Sequence, residues 1–228
     1  MAASLSDRGA MAATPEAVVF DFDGTLVDTE MVQYRAWRSA LGRQGARFGM
    51  ADWRLAVGRA PSTFDPVRLV ETRDGRRLDR AAARQEAMAA IETACRRPRL
   101  RPGVGVWLAD ARALGLPVAI ASNSERAWVA AWLESLGLAA AFGAVVTGDD
   151  VARPKPAPDI YRLAARRLGV RPTATLAVED SPVGAQAALA AGMRCVVVPN
   201  AFTRAYAFPA EAERRSAFDG PPPWRSGG

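Results

Sequence analysis

The stretch Ala17-Val18-Val19-Phe20-Asp21-Phe22-Asp23-Gly24-Thr25-Leu26-Val27-Asp28 decides the fold. Its first four residues are apolar and predict a short strand that is buried on both faces. Residues two apart at the end of a strand point the same way, so we expect Asp21 and Asp23 to face one site while Phe22 turns into the core. Two carboxylates this close repel each other unless a cation or a shared proton compensates, which indicates a metal site.

Strands and helices alternate along the chain from Arg101 onward. The pattern predicts strands at 117–121, 144–147, 175–178 and 195–198. It predicts helices between these strands at 125–136, 158–168 and 183–191. Repeated β–α units of this length are typical of an α/β fold, in which helices cover a parallel sheet. In residues 29–99 Arg and Ala dominate and no comparable buried strand occurs, so we expect a helical insertion there.

Two terminal segments fall outside this pattern. Residues 1–13 are small and polar and are expected to form a flexible leader. Residues 210–228 are expected to form a C-terminal tail, which is disordered from Asp219 onward because Gly and Pro are frequent there. The α/β core is then expected to comprise residues 14–28 and 100–209.

The composition of the 228-residue chain excludes several classes of function. The chain has no histidine, which excludes histidine-based triads, histidine metal sites and histidine acid–base catalysis. It has no run of about 18 apolar residues, so no membrane span is expected. Two cysteines, Cys95 and Cys195, cannot form a disulfide framework and indicate reduced thiols in a cytoplasmic setting.

Positive charge is concentrated in the helical insertion. Residues 31–99 hold 15 Arg and 7 acidic residues, a net charge of +8. This charge favours attraction of an anionic substrate toward a cleft beneath the insertion, although a solvated helical surface has the same composition. No nucleic-acid partner is expected, because the Arg residues are dispersed and no nucleic-acid motif accompanies them. The sequence leaves the oligomeric state open.

Lys155 is the only lysine in the chain, against 29 arginines. An ammonium is a compact point charge, whereas a guanidinium is a longer planar fork, so the two cations suit different sites. Lys155 is therefore a candidate for a role that arginine cannot fill, with an ordinary surface lysine as the alternative.

Four segments together resemble the motifs of the haloacid dehalogenase-like hydrolase superfamily. The stretch from Asp21 to Asp28 is similar to the family's Asp-x-Asp-Gly-Thr motif. The three later matches, in the family's order, are Ile120-Ala121-Ser122-Asn123-Ser124, Arg153-Pro154-Lys155-Pro156 and Glu179-Asp180-Ser181. The resemblance covers about residues 15–200. It implies a three-layer Rossmann-like core whose inserted helices, residues 29–99, form a cap.

The resemblance also implies a phosphatase that uses Mg²⁺ and an aspartyl-phosphate intermediate. Asp21 would be the nucleophile, and Asp23 would protonate the leaving oxygen and then accept a proton from water. The Mg²⁺ ligands would be the carboxylates of Asp21 and Asp180 and the backbone carbonyl of Asp23, with Glu179 ligating directly or through water. The alternative for Glu179 and Asp180 is an acidic pair that only stabilises the N-terminus of the following helix.

Phosphate would be bound by Ser122, by the backbone N–H groups of Asn123 and Ser124, and by Lys155. A simple N-cap of the following helix is the alternative for the serine segment. These residues all fall at the C-terminal ends of predicted strands, the edge at which open α/β sheets bind ligands.

The cap is expected to select the substrate. Residues 56–62 resemble the family's specificity loop, in which Arg59 is a candidate to contact a second anionic or hydroxylated group. Gln33 and Tyr34, together with Trp37, follow the first motif and are candidates to line the cleft. The alternatives are a solvated Arg59, and Tyr34 and Trp37 packed in the core of the cap.

We therefore expect a phosphatase that acts on a small phosphorylated metabolite, with a sugar phosphate as one class. A β-phosphoglucomutase-like mutase is the second hypothesis, although Gln33 stands where those mutases have a histidine. A catalytically idle module that binds a phosphorylated metabolite is the alternative from another class.

Overall fold

The structure, a computed structural model, describes residues 14–57 and 64–225. Within them, six strands form one sheet in the order β3-β2-β1-β4-β5-β6, and every neighbouring pair is parallel. The strands are β1 (Ala17–Phe20), β2 (Val118–Ala121), β3 (Ala144–Val146), β4 (Thr175–Glu179), β5 (Arg194–Val197) and β6 (Glu213–Arg214). The predicted parallel α/β sheet is confirmed.

The described residues of the insertion, 29–57 and 64–99, contain four helices: α1 (Thr29–Arg43), α2 (Met50–Arg54), α3 (Pro66–Asp74) and α4 (Arg80–Cys95). The remaining helices of the described residues cover the sheet: α5 (Val104–Ala113), α6 (Arg126–Ser135), α7 (Asp159–Leu168) and α8 (Pro182–Ala190).

Alternate residues of each strand face opposite sides of the sheet and produce the three layers. Val18 and Phe20 of β1 pack in one apolar cluster with α5 and α6. Val19 packs on the other face with α7 and α8. All four residues of β1 are buried, which explains why this strand carries no polar side chain before Asp21.

The register of the central strands aligns their carboxyl ends at one edge. Phe20 lies opposite Ile120 of β2 and Val178 of β4, so the residues that follow these three emerge side by side. The chain leaves β1 between two neighbours that come later in sequence, and such a switch in strand order opens a crevice at the carboxyl edge.

The helical insertion has its own apolar clusters. The larger contains Leu41, Trp53 and Val70 and also takes in Phe202 from the loop after β5. Both connections of the insertion to the sheet run side by side, since Val27 and Leu100 form an antiparallel bridge. The backbone N–H of Arg101 donates to the carbonyl of Leu26 at 2.9 Å and closes the same junction.

The prediction that the chain is disordered from Asp219 is wrong for residues 219–225. Trp224 is buried, its ring packs edge-on against Trp107 at 5.6 Å, and its indole N–H donates to Asp110 at 2.7 Å. Phe218 packs on the same Trp107 ring at 4.9 Å. The frequent Gly and Pro residues indicated disorder, but the aromatic side chains of this segment pack on α5.

The described residues hold no helix both long and apolar enough to cross a membrane. Cys95 and Cys195 are both free thiols, and Cys195 is buried.

Candidate active site

A cavity of about 650 Å³ lies between the carboxyl edge of the sheet and the helical insertion. Its sheet side is lined by predicted site residues: Asp21, Asp23, Ser122, Asn123, Ser124, Lys155 and Asp180. Its insertion side is largely apolar and includes Trp37, Trp53, Val57, Phe64, Val67, Met88 and Ile91. The fold therefore gathers residues from four distant segments around one space.

Lys155 occupies the centre of the charged cluster. Its ammonium donates to Oδ1 of Asp21 at 2.7 Å, to Oε1 of Glu179 at 2.6 Å and to the hydroxyl of Tyr161 at 3.2 Å. Its side chain is only 4% exposed, which rules out the surface-lysine alternative. Burial disfavours the ammonium, yet Asp21 and Glu179 raise the pKa of Lys155 above its ordinary value.

Glu179 holds Lys155 in place with one carboxylate oxygen. Its Oε1 accepts from Lys155 and, at 2.5 Å, from the hydroxyl of Tyr161. Its Oε2 accepts from the hydroxyl of Ser181 at 3.1 Å. Gly184 leaves the room for this carboxylate, because a Cβ there would lie 1.8 Å from Oε1. Both oxygens of Glu179 are thus already engaged, which fits a positioning role better than direct metal ligation.

Asp21 has one engaged and one free oxygen. Its Oδ2 is buried and has no hydrogen-bond partner among the described residues. One oxygen each from Asp21, Glu179 and Asp180 lies within 4.8 Å of the others. Burial, followed by the charges of Asp21 and Glu179, raises the pKa of Asp180. Lys155 forms ion pairs with Asp21 and with Glu179.

This cluster fits a divalent cation. Three carboxylates face one ammonium, and the donors are all oxygens, which suit Mg²⁺ better than softer metals. Asp180 is aimed into the cluster by Thr25, whose hydroxyl donates to Oδ1 at 3.3 Å, and by Asn200, whose amide donates to Oδ2 at 2.6 Å. A Cβ at Gly24, where φ is +84°, would lie 2.5 Å from Oδ2 of Asp180, so only glycine fits there.

Asp23 is held by four side-chain donors. The hydroxyl of Thr29 and the indole N–H of Trp128 donate to Oδ1 at 2.7 and 2.8 Å. The hydroxyls of Ser122 and Ser124 donate to Oδ2 at 3.1 and 2.6 Å. As the sequence predicts, Asp23 reaches the same cavity as Asp21 while Phe22 is fully buried in the core.

Asn123 connects two of the predicted motifs. Its side-chain oxygen accepts from the backbone N–H of Lys155 at 2.8 Å, and its amide donates to the carbonyl of Lys155 at 3.2 Å. The helix α6 begins at Arg126, after Glu125, so Ser122 and Asn123 precede the helix and do not cap it. The side chain of Asn123 therefore fixes the loop that carries the lysine.

The predicted substrate residues of the insertion separate into three cases. Gln33 and Trp37 line the cavity. Tyr34 does not, because it is buried in the insertion and packs against Phe48 and, edge-on at 5.5 Å, against Phe202. This placement favours the core alternative for Tyr34 and argues against a substrate contact. Arg59 lies outside the described residues.

Sequence reasoning missed Glu30 and Trp53 as cavity residues. The indole N–H of Trp53 donates to Glu30 at 2.5 Å, and both line the cavity. Burial raises the pKa of Glu30 from 4.5 to about 8, and the hydrogen bond from Trp53 opposes that rise. Glu30 directly follows Asp28 and Thr29, so its place next to the first motif was a usable signal. Trp53 carried none, because its position depends on packing within the insertion.

Comparisons with known proteins agree with this geometry. The profile of the haloacid dehalogenase-like hydrolase family matches residues 15–192. Over 184 residues the chain is 35% identical to the fructose-1-phosphate phosphatase YqaB of Escherichia coli, across 79% of this chain and 95% of the relative. Over 210 residues it is 34% identical to protein CbbY of Rhodobacter capsulatus, across 83% of this chain and 87% of the relative. A mutant CbbY from Rhodobacter sphaeroides, solved in complex with xylulose-(1,5)bisphosphate, superposes with a TM-score of 0.73 at 30% identity, over 90% of this chain and 95% of that chain.

Proposed function

Because the chain belongs to the haloacid dehalogenase-like hydrolase family, as its four motifs predict, we propose that it is a Mg²⁺-dependent phosphatase of a small phosphorylated metabolite. A sugar phosphate is the proposed class. The named substrate of the Escherichia coli relative and the bisphosphate bound to the Rhodobacter sphaeroides protein support this class, since both are phosphorylated sugars.

The free oxygen of Asp21 carries the proposal. Oδ1 is neutralised by Lys155, whereas Oδ2 is buried without a partner among the described residues and is available to attack phosphorus. In the first step Oδ2 forms a bond to phosphorus while the bond from phosphorus to the leaving oxygen breaks. Asp23 gives its proton to that leaving oxygen, which departs as an alcohol.

The second step restores the enzyme. Water attacks the phosphorus of the aspartyl phosphate while Asp23 takes a proton from that water. The bond between phosphorus and Asp21 breaks, which releases inorganic phosphate and regenerates the carboxylate. One residue thus serves as acid in the first step and as base in the second.

The proposed metal ligands are the carboxylates of Asp21 and Asp180 and the backbone carbonyl of Asp23. Glu179 is proposed to act through Lys155 or through a metal-bound water, because its own oxygens are engaged. When bound, Mg²⁺ supplies positive charge against the phosphoryl oxygens and relieves the repulsion among the carboxylates. Ser122, Ser124 and Lys155 are proposed to donate to the phosphoryl group, with Asn123 holding the lysine loop in register.

We propose that residues 29–99 act as a cap over the α/β core, which residues 14–28 and 100–209 form together with β6. The cavity lies between these two parts, and the net charge of +8 across 31–99 favours an anionic ligand. Gln33 is proposed to contact the leaving group from this side. Arg59 stays a candidate for the same role.

A panel of phosphorylated metabolites tests the function. Phosphate release is measured for fructose 1-phosphate, other sugar phosphates and p-nitrophenyl phosphate, with Mg²⁺ and with EDTA. Mg²⁺-dependent release of phosphate from a sugar phosphate is the expected result. Conversion of one sugar phosphate into its isomer without phosphate release would instead establish a mutase, and binding without turnover would establish an idle module.

A further inference from the structure

Trp128 links the proposed acid–base residue to the helical insertion. It stands in the first turn of α6, and its indole N–H donates to Oδ1 of Asp23 at 2.8 Å. Its ring lines the cavity and packs against a small apolar cluster of the insertion: Ala36, Ala40, Ala87 and Ile91. The ring also meets Trp132 edge-on at 5.5 Å. Packing against the insertion therefore holds the indole N–H toward Asp23.

The donors around Asp23 differ in whether they can also accept a hydrogen bond. An indole N–H can only donate, whereas a hydroxyl can donate or accept. The oxygen that faces Trp128 must therefore accept, and the carbonyl oxygen of a carboxylic acid accepts better than its O–H oxygen. The other oxygen, Oδ2, faces only hydroxyls, those of Ser122 and Ser124, which can accept a proton-bearing O–H.

We propose that Trp128 is a positioning residue that makes Oδ2 the proton-carrying oxygen of Asp23, an inference that rests on the acid role given to Asp23 under the proposed function. Oδ2 lies on the side of Ser122 and Ser124, where the phosphoryl group is proposed to bind. The proton then faces the leaving oxygen instead of Thr29, which donates to Oδ1. Trp128 itself transfers no proton and acts only through Asp23.

If Trp128 positions the proton of Asp23, its effect on the rate depends on the leaving group. An alcohol such as that of fructose 1-phosphate needs a proton to leave, whereas p-nitrophenolate leaves without one. Trp128→Phe keeps an aromatic ring and removes the N–H. We expect it to lower kcat/KM, which reports the first step, by up to about tenfold for fructose 1-phosphate, the loss of one hydrogen bond. For p-nitrophenyl phosphate we expect a loss below about threefold, because its first step needs no acid.

Trp132→Phe is the matched control. Trp132 lies in the same helix and is buried, and its indole N–H has no partner among the described residues, so phenylalanine removes ring volume without removing a hydrogen bond. We expect this variant to keep the wild-type ratio of the two rates. Thermal unfolding of both variants identifies any common loss of stability.

Equal losses on the two esters, or no loss on either, would overturn the role of Trp128. A selective loss that Trp132→Phe reproduces would also overturn it, because general repacking of α6 would then suffice. Asp23→Asn tests the acid role of Asp23 separately from the role of Trp128. If this variant cleaves fructose 1-phosphate at the wild-type rate, the proposed acid itself fails, and the role of Trp128 fails with it. If Asp23→Asn is selectively slow on fructose 1-phosphate while Trp128→Phe is not, only the role of Trp128 is refuted.

Discussion

Exchange of Lys155 for arginine conserves the charge and tests the geometry of the site. The ammonium has three N–H donors, and it meets three oxygen acceptors, one each from Asp21, Glu179 and Tyr161. A guanidinium is planar and longer, so it cannot direct single donors to three acceptors around one point. The site therefore needs lysine, which explains its survival in a chain with 29 arginines.

The expected loss follows from these contacts. The Lys155 side chain is 4% exposed, so no water replaces a contact that arginine fails to make. Loss of one hydrogen bond to a charged group costs about 1.5–3 kcal/mol. If the transition state loses this stabilisation and the bound substrate does not, kcat falls by roughly 10- to 150-fold. The larger side chain also overpacks a buried site, at a cost of about 1–3 kcal/mol of unfolding free energy.

Steady-state kinetics on the best substrate of the panel, with urea unfolding in parallel, measure both effects. Arg153→Lys is the control, because Arg153 lies two residues away on the same loop and forms an exposed pair with Asp159 at 2.8 Å. We expect that variant to match the wild type. An unchanged kcat for a folded Lys155→Arg protein would refute the reasoning, since it would show that the shape of the cation does not matter.

Three other changes test separate parts of the structure. Asp21→Asn is expected to abolish phosphate release in a single-turnover assay without unfolding the protein, because an amide is a poor nucleophile toward phosphorus; near wild-type turnover would contradict the mechanism. Gly184→Ala is expected to lower both kcat and Tm, since its methyl group would lie 1.8 Å from Oε1 of Glu179, whereas Gly42→Ala, with nothing within 4 Å, is expected to raise Tm slightly. Burial raises the pKa of Glu30 from 4.5 to about 8, so the wild type loses stability as the pH rises through that interval. Glu30→Gln in EDTA is therefore expected to gain about 1 kcal/mol or more at about pH 8 and nothing at about pH 4, and an equal gain at both pH values in urea unfolding would exclude this cause.

The sequence was informative where local patterns decide the structure. The bounds of β1 were read from four apolar residues. The four later strands and three helices that were predicted agree with the structure to within one or two residues at each end, whereas α5 and β6 were not predicted. Asp21, Lys155 and Asp180 were grouped by their resemblance to the family's motifs. Their positions agree with this grouping, because each follows a strand or lies in the loop beyond one, and parallel strands present such residues at one edge.

The rest depends on contacts between residues far apart in sequence. Asp23 and Trp128 are 105 positions apart, and Asp180 and Asn200 are 20 apart, and no local pattern reports such pairs. The strand β6 spans two exposed residues, too few to show the alternation of apolar and polar side chains that marks a strand. The docking of Trp224 on Trp107 likewise depends on a surface that exists only after the sheet and α5 have formed.

The bridge between Val27 and Leu100 makes the helical insertion a unit that can be exchanged without altering the sheet. Its two ends are joined side by side at the rim of the sheet, so the insertion can change in length without altering the register of β1 against β4. Replacing the helical insertion between Val27 and Leu100 with another helical segment would keep Asp21, Lys155 and Asp180 in place. Only the side of the cavity that the insertion lines would change. Among the residues that the structure describes, Phe202 is the one buried member of the insertion's larger apolar cluster that comes from outside the insertion, so a replacement segment needs to cover that ring.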